Sequence, residues 1–308
     1  MIAPARILVL GRSGQVASAL RQAEWPPDIV MEARGRESLD LFQPRSVVSA
    51  IESGDWSAVV NAAAYTQVDD AETQSDAAYV VNRDGPAAVA RTCAHLDIPL
   101  VHLSTDYVFD GTSTSPYIET SPVRPLSVYG ASKAAGEEAV RSQLPRHVIL
   151  RTSWVFSAVG NNFVKAMLGL ARDRDELSVV EDQYGRPTAA EDIADVITEV
   201  VRNLIRGKVC EYGTFHFANH GATSWYLFAR EIFLQARRRG VRSTPRITPI
   251  PAAARATRAE RPMNSVLDTA KIEQLYGVVP SHWQAGLVRT LDRVIGPVGR
   301  RMQGEGVE

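Results

Sequence analysis

The sequence predicts an α/β fold: a doubly wound parallel sheet with a smaller C-terminal domain interleaved with it. Three observations predict it. Short, continuously apolar runs alternate with helical patterns as far as Trp154, and strands apolar on both faces belong in a parallel sheet covered by helices. A glycine-rich turn joins the first run to the first helix, the mark of a Rossmann-type sheet. Beyond Trp154 the alternation loosens, which marks a second region.

The elements follow in order. Arg6–Leu10 reads as a buried strand and Gly14–Arg21 as the helix after it. Asp28–Ala33 is the second strand, and Pro44 opens a helix ending near Gly54, since proline at the first helical position forfeits no hydrogen bond. Ser57–Ala64 is the third strand, Ala78–His95 a long amphipathic helix and Pro99–Ser104 the fourth strand. Val128–Val140 supplies the next helix and His147–Trp154 the next strand. In the second region Asn162–Asp173, Glu191–Arg206 and Trp225–Arg239 read as helices, with short strands near Leu177–Glu181 and Thr214–Ala218. Pro245–Pro262, rich in Pro, Ala and Arg, reads as loop, and short helices follow at Asp268–Tyr276 and Ser281–Arg293. Residues 1–155 are expected to form a nucleotide-binding domain to which later segments return, 156–296 a mainly substrate-binding domain, and 297–308 a frayed tail.

Composition narrows the function. The 308 residues carry a formal net charge of −1, so no basic field draws nucleic acid or anionic lipid. The two cysteines, Cys93 and Cys210, have no metal-type spacing and make no disulfide framework. No apolar run reaches the length of a membrane span, and the N-terminus lacks the layout of a signal peptide. A cytoplasmic protein is expected.

Two stretches carry chemistry. LGRSGQVASAL follows the first strand and opens a helix. Gly11 and Gly14 let backbone N–H groups approach an anion, and Gln15 and Val16 stand at the helix start, where the dipole favours a pyrophosphate. Ala17 takes the third small position. After the second strand come Glu32, Arg34 and Arg36. A guanidinium fork suits a 2′-phosphate, so this end favours NADPH over NADH, with Asp40 and Leu41 bordering the adenine. At the other end, HLSTDYVFDG closes the fourth strand, where open α/β sheets bind ligands, and VYGASK places Tyr129 and Lys133 four residues apart. On a helix these share one face. Carbonyl reduction needs an acid at the carbonyl oxygen. A phenol ordinarily titrates near pH ~10, and a neighbouring cation lowers it. Lys133 is therefore expected to tune Tyr129, with hydroxyls of Ser104 and Thr105 alongside, and the small residues between the pair to leave room for ligand.

The glycine turn, NAAAYTQVDDAE, STDYVFDG, YGASK and RTSWVF, in this order, resemble the extended short-chain dehydrogenase/reductases. Within them, RTSWVFSAVGNNF, DQYGRPT and RPMNSVLD are similar to the dTDP-4-dehydrorhamnose reductase group, over nearly the whole chain except the tail. The resemblance implies NADPH-dependent reduction of the C4 ketone of dTDP-4-dehydro-β-L-rhamnose. It makes Tyr129 the proton donor, Lys133 its partner and ribose ligand, and Thr105 the hydroxyl supporting Tyr129. Asp106, Trp154 and Asn162 would contact substrate. Ala64, Tyr65 and Thr66 would line the cofactor.

Plainer readings stand beside these. Trp154 is also a natural packing residue, and Asn162 a natural helix N-cap. Asp69, Asp70 and Glu72 suit a helix start near Ala71 better than a metal. Some relatives are dimers with magnesium between acidic residues, but this chain has Ala19 and Arg293 near where two of those acids are expected, beside Glu191. No structural metal is expected, and a homodimer is compatible with the pattern without being indicated. A dehydratase of the same fold needs a second carboxylate where this chain has Tyr107. Reduction of a different dTDP-4-keto-deoxysugar, or a non-catalytic NADP-binding role like that of the methionine adenosyltransferase regulatory subunit, are the remaining alternatives.

Overall fold

A computed structural model describes residues 3–207 and 211–298. Cys210 and all but the first two residues of the expected tail lie outside the described residues. Six parallel strands form the main sheet: β1 (Ala5–Leu10), β2 (Ile29–Arg34), β3 (Ala58–Asn61), β4 (Leu100–Thr105), β5 (His147–Thr152) and β6 (Gly213–His216). They lie in the order β2-β1-β3-β4-β5-β6. The order reverses between β1 and β3, which opens a crevice at their carboxyl ends. β6 lies beyond Trp154 in the chain and pairs with β5 at the edge of the sheet.

Apolar side chains fill both faces, as the continuous runs require. On one face Ile7, Val9, Val60, Val101, Val148 and Phe215 pack with α1 (Gln15–Leu20) and with Ile193, Ile197 and Val201 of a later helix, Ala190–Ile205. On the other, Leu8, Leu10, Val59 and Leu100 meet α2 (Pro44–Glu52), α3 (Gly85–His95) and Val140 of α4 (Val128–Gln143). A third core joins Phe156, Val164, Phe228, Ile232, Trp283 and Leu287. It unites Phe163–Asp173, Trp225–Arg238 and Trp283–Val294 outside the sheet. Cys93 is buried in the second core.

The structure departs from expectation in four places. The third strand ends at Asn61, short of Ala64, because Asn61 turns its side chain onto its own chain, its Oδ1 accepting from Ala63 N–H at 3.2 Å. The helix expected over Ala78–His95 begins at Ser75 and passes through a π-helical turn, Val80–Asp84, before α3. Pro86 explains the turn: it has no N–H for the Asn82 carbonyl four residues back, and its ring would crowd that oxygen. The fifth strand stops at Thr152, and Trp154 then adopts a positive φ of 47°. Finally, Arg246–Ile250, read as loop, is a strand paired in parallel with Glu176–Val180.

Candidate active site

α4 sits against the carboxyl end of β4 and carries the Tyr–Lys pair. Its N-cap is Ser127, whose Oγ accepts from Gly130 N–H at 3.2 Å, and the first turn is anchored by Glu72, whose Oε1 accepts from Val128 N–H at 2.9 Å. Two glycines let the helix approach. A Cβ on Gly130 would strike the Tyr107 carbonyl, and one on Gly136 the Asn82 carbonyl of the π turn. The small residues between Tyr129 and Lys133 thus serve packing: Gly130 admits a neighbouring backbone, and Ser132 Oγ accepts from Asn82 Nδ2 at 3.0 Å. That is a correction to the expectation of ligand room. Asn82 also clamps the loop after β3, its Oδ1 accepting from Tyr65 N–H at 2.9 Å and its Nδ2 donating to Tyr65 O at 3.0 Å.

The pair faces one strand. Lys133 is buried and donates from Nζ to the Leu103 carbonyl at 2.6 Å. Tyr129 lies beside the Thr105 hydroxyl. The Leu103 carbonyl and the Thr105 hydroxyl both lie at the carboxyl end of β4, so phenol and ammonium converge on the same rim. Thr105 Oγ1 donates to Asp106 Oδ1 at 3.0 Å and accepts from Tyr107 N–H at 3.2 Å. Tyr107 packs edge-on against Tyr129, ring centroids 5.7 Å apart. Ser104, on the opposite face, instead donates to Glu137 Oε1 at 2.6 Å, so only one of the two expected hydroxyls reaches the phenol.

Burial sets the charges. It pushes the Tyr129 phenol up to about 12, against the pull of the Thr105 hydroxyl and with a further push from Asp106. The expected lowering by Lys133 is not found: desolvation, which opposes the phenolate, is the largest influence on the phenol, and Thr105 and Asp106 are the side chains that act on it. Burial likewise brings Lys133 down to about 8, opposed by Glu137, and raises Asp106 to about 7. Near neutral pH the rim therefore holds a neutral phenol and an ammonium, beside a carboxyl whose burial favours its neutral form.

At the phosphate end Gly11 adopts a φ of 110°, within reach of the Ala62 and Ala63 backbone. Gly14 caps α1 with no side-chain hydrogen bond, and a Cβ there would meet nothing within 4 Å. The turn is open and backbone-lined, which suits an anionic cofactor. Val16 packs against the first core. Gln15 reaches across to the second region, its Oε1 accepting from Ser157 Oγ and from Asn162 Nδ2, both at 3.0 Å. Asn162 caps its helix, accepting from Lys165 N–H at 3.1 Å, the plainer of its two expected uses. Arg34 is committed to Glu32 at 2.7 Å and to Ala50 O and Ser53 Oγ of the α2 end, both at 3.1 Å. Arg36 is exposed. Asp40 Oδ1 accepts from Phe42 N–H at 3.0 Å, while Leu41 is core, lying against Gly85. Ala64 and Thr66 are exposed and Tyr65 half-buried.

Trp154 stands two residues past Thr152, the register partner of Thr105, so it shares the rim. Its ring stacks on Trp225 with centroids 3.5 Å apart and planes 5° from parallel, and it presses on Gly185 so closely that a Cβ there would enter the ring. A tryptophan held in left-handed backbone stores strain.

Several site-building residues lie outside the expected set. Arg12 in the glycine turn reaches Glu37 at 3.3 Å; the arginine in GRSG was its only signal. Asp69 holds Arg261 at 2.6 Å and accepts from Ala259 N–H at 3.1 Å. Asp69 and Asp70 do stand in the first turn of the helix Val68–Ala71 and Glu72 just past its end, while Asp69 and Glu72 also serve as long-range anchors. Among the described residues no three His, Cys, Asp or Glu side chains group as a metal site, and Arg293 pairs with Glu191 at 2.9 Å. No described helix is long and apolar enough to cross a membrane.

Known proteins give this geometry its family. The model of the RmlD substrate binding domain matches residues 5–295. A dTDP-4-dehydrorhamnose reductase of Sinorhizobium fredii is 43% identical over 91% of this chain and 94% of its own length. That of Escherichia coli is 37% identical over 94% and 97%. Among solved structures, the dTDP-4-dehydrorhamnose reductase of Bacillus anthracis in complex with NADP superposes with a TM-score of 0.86 at 33% identity, covering 94% of this chain and 99% of that one. The chain belongs to the dTDP-4-dehydrorhamnose reductase family.

Proposed function

We propose that this chain reduces the C4 keto group of dTDP-4-dehydro-β-L-rhamnose to give dTDP-L-rhamnose. The observation that carries the reading is the convergence of Tyr129, Lys133 and Thr105 on the β4 rim beside the crevice of the glycine turn. NADPH, when bound, supplies the hydride. NADH is the weaker alternative donor. The backbone of Gly11, Gly14, Gln15 and Val16 would hold its pyrophosphate, Arg36 its 2′-phosphate, and Lys133 its nicotinamide ribose. The committed state of Arg34 leaves Arg36 as the better phosphate ligand.

Tyr129 then acts as the acid. As negative charge develops on the C4 oxygen, the neutral phenol donates its proton there. Thr105 holds the phenol in place, and the Lys133 ammonium stabilises the phenolate that remains. Asp106 and Trp154 orient the sugar; the strained backbone of Trp154 supports a ligand-facing role for it. Residues 156–296 mainly supply the substrate side, and residues 1–155 the nucleotide side. A cytoplasmic location and a dTDP-sugar as the substrate partner complete the proposal.

The test is NADPH oxidation by the purified chain with dTDP-4-dehydro-β-L-rhamnose generated in situ, with the product identified by NMR. Stoichiometric NADPH loss and dTDP-L-rhamnose are expected. NADPH binding without turnover would indicate a binding-only protein, and turnover with a different dTDP-4-keto sugar alone would correct the substrate.

A further inference from the structure

Lys133 is followed, four residues on, by Glu137, which is fully buried. Its carboxylate joins three elements. It accepts from Ser104 Oγ of β4 at 2.6 Å, from Arg151 Nε and Nη2 of β5 at 2.8 and 2.6 Å, and from Arg141 Nη2 of its own helix at 2.5 Å. The network runs on: Arg151 Nη1 lies 3.3 Å from His216 Nε2, and His216 Nδ1 lies 3.0 Å from the Tyr117 carbonyl. A cation at one ring nitrogen and a carbonyl at the other assign the neutral Nδ1–H form. No step of the reaction uses Glu137, yet a carboxylate this deep is costly unless it is paired or does something else.

We propose that Glu137 is a positioning residue, which locks α4 to β4 and β5 and keeps Lys133 cationic at the pH where the enzyme works. The proposal rests on the reductase reading above. Ser104 is the neighbour of Leu103, whose carbonyl takes the Lys133 ammonium, so one carboxylate fixes both the helix and the strand that seat it. The charged and titratable groups around Lys133 are few. On α4 they are Tyr129, Glu137 and Arg141, on β4 His102, just past β4 Asp106, and on β5 Arg151 and His147. His102 is held well below its usual range by burial and by Lys133 itself, and His147 is lowered as well. The π turn offers α4 the Asn82 carbonyl, while the Arg83 guanidinium is turned to Asp84. Glu137 is the group that raises Lys133 against burial.

The experiment is the pH profile of kcat/KM for NADPH at saturating sugar. Wild type should lose activity as pH rises through about 8, where Lys133 gives up its proton, because the Tyr129 phenol titrates far higher. In Glu137→Gln the carboxylate charge is gone, the ammonium deprotonates sooner, and the alkaline limb should move down by roughly one pH unit. Arg141→Ala removes a partly exposed cation that competes for Glu137. Its limb should move up by roughly a few tenths of a unit, the worth of a charge at the solvent edge. Ser104→Ala keeps every charge, so its limb should stay in place whatever it does to the rate. If Glu137→Gln does not fold, the upward shift in Arg141→Ala carries the test. Wild-type turnover with unmoved limbs in these charge variants would overturn the role of Glu137 alone. No wild-type turnover with the sugar would instead overturn the reading on which it rests.

Discussion

Gly14, in the phosphate turn, and Gly136, on the helix that carries Tyr129 and Lys133, are glycine for different reasons. Around Gly14 there is open space, so a side chain would fit the folded protein and obstruct only what comes to the turn. Against Gly136 lies the Asn82 carbonyl, so a side chain has nowhere to go. The phosphate end is a backbone surface kept clear for a ligand. The catalytic end is an interior, where α4, the π turn and β4 press together to bury an ammonium and a carboxylate beside a half-buried phenol. Binding by backbone tolerates exposure, whereas tuning of proton affinity needs burial.

The first way to break that contrast is to fill both glycines. Gly136→Ala should cost about 1–3 kcal/mol, as overpacking in a dense interior does, and should lower the urea midpoint and the activity together. Gly14→Ala should leave stability within about 1 kcal/mol and weaken NADPH binding about tenfold, or ~1.4 kcal/mol, by calorimetric titration. Equal losses of stability in the two variants would erase the distinction. A smaller effect sharpens the catalytic side. Trp225→Leu removes the ring on which Trp154 stacks. An aromatic pair is worth about 0.5–1.5 kcal/mol, so KM for the sugar should rise by roughly two- to tenfold while KM for NADPH stays put. A change in the NADPH value instead would place Trp154 on the cofactor side.

The same contrast explains what could be read in the sequence. β1 to β5 and the glycine turn are local: runs of apolar residues and a fixed spacing state them directly. Tyr129 and Lys133 are four apart, so their shared face was legible too. The partners that fix their chemistry are far away in the chain. Glu137 meets Arg151 and Ser104, Asn82 clamps Tyr65 and Ser132, and Asp69 holds Arg261. No periodicity encodes such pairs. The strand Arg246–Ile250 was hidden because it pairs with Glu176–Val180 along a mostly exposed face, so it carries no apolar run. The π turn was hidden because one proline in a helical pattern reads as a kink. The raised phenol was missed for a related reason: spacing gives the distance to Lys133 along the helix, while depth of burial depends on elements folded over it.

The central claim is that the Tyr129 phenol, neutral and partly buried on the β4 rim, delivers the proton that completes ketone reduction. The most direct measurement is single-turnover NADPH oxidation by Tyr129→Phe beside wild type, with the 4-keto sugar and NADPH both saturating and cofactor affinity checked by titration. The account predicts a rate lower by about 10²–10⁴-fold, the usual worth of a positioned acid, with NADPH affinity nearly unchanged. Turnover of the Tyr129→Phe variant at the wild-type rate would contradict it.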